Sequence, residues 1–296
     1  MEPPAGTIFG HEFSGEILEI GKSAKCDWRV GDAVVSLPMI SCGACQFCVR
    51  GNPFFCADVT RTGMGTGIQG GYAEFVRVGT RESLAIPTGV DWDFAALVEP
   101  LAVGLHGIRI SRFKTGASAL VIGAGPIGLA VIQWLKVLGA RHIVVSELSE
   151  ERRALAERMG ATATVDAALH PKEISRLLTT LCGGLPETIF ECVGLPNMIQ
   201  QCIKIAGPLS EIVSLGVCDR ADTFTPFLGT MKELTLKFAV AYLKEDFQQT
   251  LEMMENGRLD PKPMITQKIG LDQLGQTFED LKAAKDQCKV LVSPCC

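Results

Sequence analysis

Short runs of alternating apolar and polar residues, separated by turn residues, dominate the first hundred positions of this chain. Three of these runs have the alternation expected of half-buried strands, at residues 16–20, 33–37 and 72–78. Glycine is frequent between them, as it is in tight connections. The pattern predicts an all-β region with a barrel-like arrangement.

From about residue 99 the pattern changes, and apolar strands alternate with helical stretches of ten or more residues. The strands are predicted at residues 119–123, 143–146, 188–191 and 211–215. This alternation is typical of βαβ units, whose strands form a parallel sheet. Past residue 243 the sequence predicts helices at 247–256 and 271–285 and strands at 265–269 and 289–293.

Composition narrows the class of protein. Hydrophobic residues make up 47% of the 296 positions and charged residues 21%, which is typical of a globular chain with a sizeable core. A net charge of −5 argues against a nucleic-acid or anionic membrane surface, because both favour clustered Lys and Arg. No apolar run has the length of a membrane span, and the first residues do not resemble a secretion signal. We therefore expect a cytoplasmic protein that binds neither nucleic acid nor membrane.

A glycine-rich loop joins the first strand of the parallel region to a helix predicted at residues 129–138. The second strand of that region ends at an acidic residue, Glu147. In a dinucleotide site the first glycine permits a tight turn, the second allows the backbone to approach a pyrophosphate, and the third allows close helix packing. The helix amino terminus then presents N–H groups to the phosphates. The candidate cofactor-binding residues are Gly123, Gly125, Pro126, Ile127, Gly128 and Glu147.

The acid at the end of the second strand also bears on which dinucleotide is bound. Its carboxylate can accept hydrogen bonds from ribose hydroxyls but repels a 2′-phosphate, so that NAD is favoured over NADP. Arg152, a further candidate cofactor contact, and Arg153 lie nearby and could soften this preference. The alternative, which we favour, is that both arginines lie on a solvated helix face. A glycine turn without a ligand is the alternative for the loop itself.

Four of the twelve cysteines fall within fifteen residues, at Cys42, Cys45, Cys48 and Cys56. Four thiolates fill the coordination of a structural zinc ion. A disulfide knot is the first alternative, although it fits poorly with an intracellular chain. An iron–sulfur cluster has compatible spacing and is the second. The other eight cysteines, which include Cys295 and Cys296, are assigned no function.

Taken together, these features resemble the zinc-containing medium-chain dehydrogenases, closest to the sorbitol-type polyol dehydrogenases and threonine dehydrogenase. The likeness also rests on residues 10–12, 70–75 and 99–103 and covers nearly the whole chain. It implies an α/β fold with a GroES-like β-barrel catalytic domain over residues 1–105, including a zinc lobe at 42–56. A Rossmann NAD-binding domain over 106–243 and a return to the first domain over 244–296 are further implied.

The resemblance also implies a catalytic zinc and a hydride transfer to NAD. His11 matches the family's histidine ligand, Glu12 the adjacent carboxylate, and Glu99 the acidic residue that binds the metal directly or through water. Each has an alternative: His11 as a satisfied core histidine, and Glu12 as the ion-pair partner of Lys289 or of an arginine. Glu99, which precedes Pro100, could simply complement a helix dipole.

Family members carry one more catalytic zinc ligand, a cysteine, and a hydroxyl residue that relays the alcohol proton, both ahead of the Gly-His-Glu motif. This chain begins ten residues before His11, and Cys26 is not expected to replace that cysteine. We therefore expect an amino-terminally shortened chain, with an unpaired barrel edge and poor turnover. The first hypothesis is an NAD-dependent secondary-alcohol, polyol or amino-alcohol dehydrogenase, implied to be a homodimer or homotetramer. The second is a non-catalytic member that keeps NAD and the structural zinc, and a nucleic-acid-binding lobe is disfavoured by the acidic charge.

Overall fold

A computed structural model describes residues 3–65, 67–283 and 286–294 of the chain. The chain divides into two compact units. The first comprises Met1–Ala102, Ala241–Ala283 and Lys289–Cys296, and the second comprises Val103–Val240 and Ala284–Cys288. The crossings after residues 102 and 240 each come three residues before the boundaries predicted at 105 and 243. Cys295, Cys296 and Lys285, the predicted end of a helix, lie outside the described residues.

Strands come in succession in the first part of the chain and alternate with helices from Ser118 onward. The strands are β1 (Ser14–Glu16), β2 (Ala33–Ser36), β3 (Met39–Ile40), β4 (Thr60–Arg61), β5 (Ser83–Ala85), β6 (Ser118–Ile122), β7 (His142–Glu147), β8 (Ala163–Asp166), β9 (Thr188–Glu191), β10 (Glu211–Ser214), β11 (Thr235–Phe238), β12 (Ile265–Gly270) and β13 (Lys289–Ser293). The α-helices are α1 (Gln46–Val49), α2 (Trp92–Ala95), α3 (Val98–Arg109), α4 (Pro126–Val137), α5 (Glu150–Met159), α6 (Pro171–Cys182), α7 (Met198–Ile205), α8 (Pro226–Thr230), α9 (Lys244–Glu255) and α10 (Leu274–Leu281). None of these described helices is long and apolar enough to cross a bilayer.

The first unit is built from small sheets. Strands β1, β2 and β5 form an antiparallel sheet in that order, with Ser14 opposite Val35 and Val34 opposite Ala85. Strands β3 and β4 pair antiparallel, and β12 and β13 pair parallel. The inner residues of β2 and the start of α3 are fully buried, so that the unit has its own apolar core.

Two of the three strands predicted in this region differ from the structure: one is shifted, and the other is not a strand. The run at 33–37 is confirmed as β2. The strand predicted at 16–20 overlaps β1 only at Glu16, because the pairing with β2 begins at Ser14 and ends at Glu16. The strand predicted at 72–78 is wrong: among the described residues this stretch forms no strand. The first residue of this stretch pairs with a loop rather than with a strand, since the Tyr72 N–H donates to the Phe9 carbonyl at 3.0 Å. Phe75 is 70% exposed, so the alternation there does not face a core.

The second unit is a six-stranded parallel sheet with the order β11-β10-β9-β6-β7-β8. Strands β6 and β9 are buried along most of their length, as expected where helices cover both faces of a sheet. The strands predicted at 119–123, 143–146, 188–191 and 211–215 correspond to β6, β7, β9 and β10. Because β6 lies at the centre, its carboxyl end is where the chain order of the sheet reverses, the position that binds ligands in open α/β sheets.

The helix after β6 begins earlier than the predicted residue 129. Pro126 is its first residue, since a proline needs no N–H partner there and its φ suits a helix. In the return region, β12 and β13 confirm the predicted strands, and α9 begins three residues before the predicted 247. The helix predicted at 271–285 is a 3-10 turn, Leu271–Gln273, followed by α10.

Candidate metal and dinucleotide sites

The glycine-rich loop lies between β6 and α4, and two of its glycines are required by the protein's own packing. Gly123 has a φ of +94°, and a Cβ on it would lie 2.8 Å from Val193 Cγ2. A Cβ on Gly128 would lie 2.0 Å from the Gly123 carbonyl oxygen. Side chains at either position would therefore force the loop away from its sharp turn.

Gly125 differs from these two glycines. Its φ is −72°, and a Cβ there would meet no atom of the protein within 4 Å. Gly125, Pro126 and Ile127 are partly accessible at the amino terminus of α4, and among the described residues no side chain caps this helix. A helix start with free N–H groups and open space in front of it can accept phosphates. The protein's own packing therefore does not require glycine at position 125, and the space in front of it is open.

Glu147 is held in place by backbone groups on both sides. Its Oε2 accepts a hydrogen bond from the Ala124 N–H at 2.8 Å, and its Oε1 accepts one from the Ser149 N–H at 3.0 Å. The first contact ties the acid to the glycine-rich loop, and the second ties it to the start of α5. The carboxylate is therefore fixed beside the loop, and its contact with a ribose stays a prediction.

The two nearby arginines are not equivalent. Arg153 donates from Nη1 to the carbonyls of Glu147 and Leu148, both at 2.8 Å, and lies 3.9 Å from an Asp166 oxygen. The expectation that it points into solvent is thus wrong, because bare carbonyls at the end of β7 attract the guanidinium. The Arg152 side chain is partly exposed on α5. The backbone N–H of Arg152 donates to the Ser149 hydroxyl, which caps this helix.

The four clustered cysteines converge in the first unit. Their sulfurs all lie within 4.8 Å of one another. Cys42 and Cys48 are separated by 3.9 Å, and Cys45 and Cys48 by 3.5 Å. A tetrahedral zinc ion with Zn–S bonds of about 2.3 Å requires sulfurs roughly 3.8 Å apart, so this donor set fits zinc.

Backbone geometry favours thiolate at one of these positions. The Cys45 N–H donates to Cys42 Sγ at 3.4 Å. Hydrogen bonds from the Ala44 and Cys45 N–H groups lower the pKa of the Cys42 thiol to about 6. All the described cysteines are free, so the disulfide alternative finds no support in this part of the chain. The lobe also contains two short helices, α1 and a 3-10 turn at Pro53–Phe55, which its sequence did not indicate.

A second donor set brings together three residues that are distant in sequence. His11 and Glu12 lie just ahead of β1, and Glu99 is the second residue of α3. Each offers a ligand atom within 4.8 Å of the others, and His11 Nε2 is 3.8 Å from Glu99 Oε1. One imidazole and two carboxylates suit a zinc site that keeps a coordination position open for substrate, so the residues present fit the metal.

The surroundings of this set explain its charge state. Lys289 of β13 forms an ion pair with Glu12 Oε2, which is the alternative raised for Glu12. Glu99 is only 7% exposed; burial, with the negative charge of Glu12, raises its pKa to about 8. Burial lowers the pKa of His11. Without a cation in the site, Glu99 is therefore protonated and His11 neutral at pH 7.

Sequence reasoning missed one residue of this set. The hydroxyl of Tyr242, buried at the point where the chain re-enters the first unit, hydrogen-bonds to Glu99. The chain has two tyrosines, and both contribute here: Tyr72 is close enough to Glu12 for the carboxylate, after burial, to raise its pKa. Nothing in the sequence around Tyr242 signalled this role, because its contact with Glu99 depends on tertiary packing.

Two family profiles match the sequence. The profile of the alcohol dehydrogenase GroES-like domain matches residues 1–88, and that of the zinc-binding dehydrogenase domain matches residues 126–256. The chain is 34% identical over 292 residues to the (R,R)-butanediol dehydrogenase of Bacillus subtilis (strain 168), covering 98% of this chain and 82% of the relative.

Solved structures agree with the profiles. Galactitol-1-phosphate dehydrogenase from Escherichia coli superposes with a TM-score of 0.88 at 28% identity, covering 97% of this chain and 84% of that one. A zinc-binding dehydrogenase from Sinorhizobium meliloti, solved bound to NADP, superposes with a TM-score of 0.86 at 29% identity, covering 99% and 85%. These relatives lend no support to the non-catalytic alternative.

Proposed function

The chain belongs to the zinc-type alcohol dehydrogenases of the medium-chain family, and from this premise we propose that it oxidises a secondary alcohol or polyol with NAD. The expected fold, a GroES-like domain with a Rossmann domain, is that of the family. The reaction would move hydride from the carbinol carbon to the nicotinamide and release the hydroxyl proton, giving a ketone and NADH. The observation that carries the proposal is the convergence of one imidazole and two carboxylates in the first unit.

His11, Glu12 and Glu99 would hold the catalytic zinc. When bound, zinc polarises the substrate oxygen and lowers the pKa of the alcohol toward neutrality. Glu99 would bind zinc as the carboxylate, and it would then lose the proton that its pKa, raised by burial and by the charge of Glu12, lets it keep in the absence of a cation. Lys289 holds one oxygen of Glu12, and the Tyr242 hydroxyl orients Glu99. These contacts fix the carboxylates before substrate arrives.

The second unit would bind the dinucleotide at the loop from Gly123 to Gly128. The N–H groups at the start of α4 would receive the pyrophosphate, and Glu147 the adenosine ribose. NAD is proposed over NADP because both oxygens of Glu147 are fixed, which keeps a negative charge where a 2′-phosphate would lie. Arg153 is already bound to carbonyls, and Arg152 is the remaining cation that we propose as a cofactor contact.

We assign a structural zinc to Cys42, Cys45, Cys48 and Cys56. The sulfur separations support tetrahedral coordination with no open position, so this ion would take no part in the reaction. The lobe contains few buried apolar side chains, and metal binding would supply most of its order.

The substrate class rests on relatives whose names refer to butanediol and to galactitol 1-phosphate. Both substrates carry a secondary hydroxyl next to another hydroxylated carbon, and we propose the same chemical class here. The test is NADH release at 340 nm by the zinc-loaded protein, with 2,3-butanediol, sorbitol, galactitol 1-phosphate and threonine as a panel. We expect turnover with at least one diol or polyol.

The matched control is His11→Gln, which should abolish turnover and leave NAD binding to the second unit intact. Equal rates for this variant and the unaltered protein would remove the assigned metal site from the reaction. Absence of turnover over the whole panel, with two zinc ions bound per chain, would overturn the proposed substrate class.

A further inference from the structure

The guanidinium group of Arg81 lies against the turn that carries the first two zinc-lobe cysteines. A Cβ built on Gly43 would lie 2.3 Å from Arg81 Cζ and 2.4 Å from its Nη1. The planar group is therefore packed directly on the backbone of Gly43. Gly43 also has a φ of +71°, so its backbone conformation favours glycine at this position.

This turn shapes the first ligand. Cys42, Gly43, Ala44 and Cys45 form a knuckle in which the Cys45 N–H points to Cys42 Sγ at 3.4 Å. Any shift of Gly43 would move that N–H relative to the sulfur. A side chain that covers Gly43 consequently controls the geometry of two of the four ligands.

Arg81 and its neighbour also hold the residue before the knuckle. Arg81 Nη2 donates to the Ser41 carbonyl at 2.8 Å. Glu82, only 4% exposed, accepts hydrogen bonds from the Ser41 N–H at 3.1 Å and its hydroxyl at 2.7 Å. Ser41 is thus held by two consecutive residues, while Lys244 of α9 donates to the Arg81 carbonyl.

The positive charge of the Arg81 guanidinium adds a second effect to its packing against the turn. Four thiolates around one zinc ion would carry a formal net charge of −2, and the guanidinium is a permanent positive charge that lies against Gly43, between Cys42 and Cys45 in the chain. Lysine could supply the charge but not the flat contact with the Gly43 backbone.

We propose that Arg81 is a positioning and charge-compensating residue of the four-cysteine zinc site, acting through Gly43 and Ser41 on the Cys42–Cys45 knuckle. The proposal rests on the structural zinc assigned above. Residues that orient metal ligands without touching the metal typically change metal affinity by about 10-fold to 100-fold when removed. Arg81 is largely exposed, so its replacement opens no core and the variant is expected to fold.

The test follows alkylation of the peptide that holds Cys42 to Cys56 by mass spectrometry, on the zinc-loaded 296-residue chain in excess chelator. Mapping the peptide separates this site from the other cysteines and from the His11 site, which has no thiol. For Arg81→Ala we expect alkylation about 10-fold faster than in the unaltered protein, with Arg81→Lys in between. The control is Arg50→Ala, which removes an exposed arginine of the same lobe and should change the rate less than about two-fold.

The metal-free proteins distinguish a metal-specific role from general loosening. There the Arg81 variants should alkylate at the rate of the unaltered protein, whereas a merely disordered lobe would react faster with and without zinc. Equal rates for zinc-loaded Arg81→Ala and Arg50→Ala would overturn the role of Arg81 while leaving the zinc site in place. If zinc does not protect these thiols even in the unaltered protein, the assigned structural zinc fails as well.

Discussion

Replacing Glu99 by glutamine should stabilise the metal-free protein and at the same time weaken zinc binding. Glu99 is buried beside Glu12, and its pKa is raised from 4.5 to about 8, first by burial and then by that charge. In the unfolded chain the carboxyl ionises near its ordinary value. Folding at neutral pH therefore requires the side chain to keep a proton that water would remove.

The sign and size follow from this difference. Below pH 4.5 the carboxyl is protonated in both states and costs nothing. As the pH rises from 4.5 toward 8, only the unfolded state loses the proton, so stability falls, and it levels off above 8. At pH 7 the loss amounts to about 3 kcal/mol at most. Glutamine has the same shape, does not titrate, and retains a carbonyl that can accept from Tyr242.

Thermal unfolding of the metal-free proteins at pH 5 and pH 7.5 measures the effect. For Glu99→Gln we expect a melting temperature at pH 7.5 higher by roughly 6 to 12 °C, and a small difference at pH 5. Added zinc should raise the melting temperature of the unaltered protein more than that of the variant. Zinc binding at pH 7 should also release one more proton from the unaltered protein than from the variant. The number of protons released is measured by calorimetry in two buffers.

The matched control is Glu255→Gln, an exposed carboxylate of the same unit on α9, which should leave both melting temperatures unchanged. A Glu99→Gln variant that melts no higher than the unaltered protein at pH 7.5 would refute the reasoning. So would an equal response of the two proteins to zinc.

Three further substitutions test the other assignments. Glu147→Ser should reduce the NAD-over-NADP preference by about 10-fold in fluorescence titrations, and equal binding of both cofactors by the unaltered protein would contradict the NAD assignment. Cys45→Ser should remove one zinc ion per chain and expose residues 42–56 to protease while NAD binding persists; unchanged metal content and protease resistance would count against the lobe assignment. Tyr242→Phe should lower turnover about 10-fold with unchanged affinity for NAD, and full turnover would show that Glu99 needs no orienting hydroxyl.

The sequence predicted those parts of the site whose members lie close together along the chain. The glycine-rich loop and Glu147 belong to one strand–helix–strand unit, so the backbone geometry of that unit brings them together. The four cysteines could be predicted to converge for a similar reason, because they lie in a single short segment. His11, Glu12 and Glu99 were indicated by the resemblance, since nothing in their spacing predicts that they meet.

Other contacts could not be read from the chain because they depend on tertiary packing. Tyr242 follows Glu99 in the chain only after the long segment of the second unit, Val103–Val240. Arg81 follows an unremarkable apolar stretch, and only the fold places it on Gly43. The strand expected at 72–78 was wrong for the same reason. The alternation is present in the sequence, but the first residue of the run, Tyr72, hydrogen-bonds to the irregular Phe9 rather than to a neighbouring strand.

The two donor sets share one feature. The residues that would bind the metal are themselves held by a charged group or by a hydrogen bond. Lys289 binds Glu12, the Tyr242 hydroxyl binds Glu99, and the Arg81 guanidinium covers the turn that bears Cys42. The consequences differ with burial. At the four-cysteine lobe, which is partly exposed, the supporting cation adds to retention of the metal. At Glu99, which is buried, the carboxyl that would bind the metal destabilises the protein when no metal is bound. A change that raises metal affinity at Glu99 therefore lowers the stability of the metal-free protein, whereas in the lobe the supporting arginine carries no such cost.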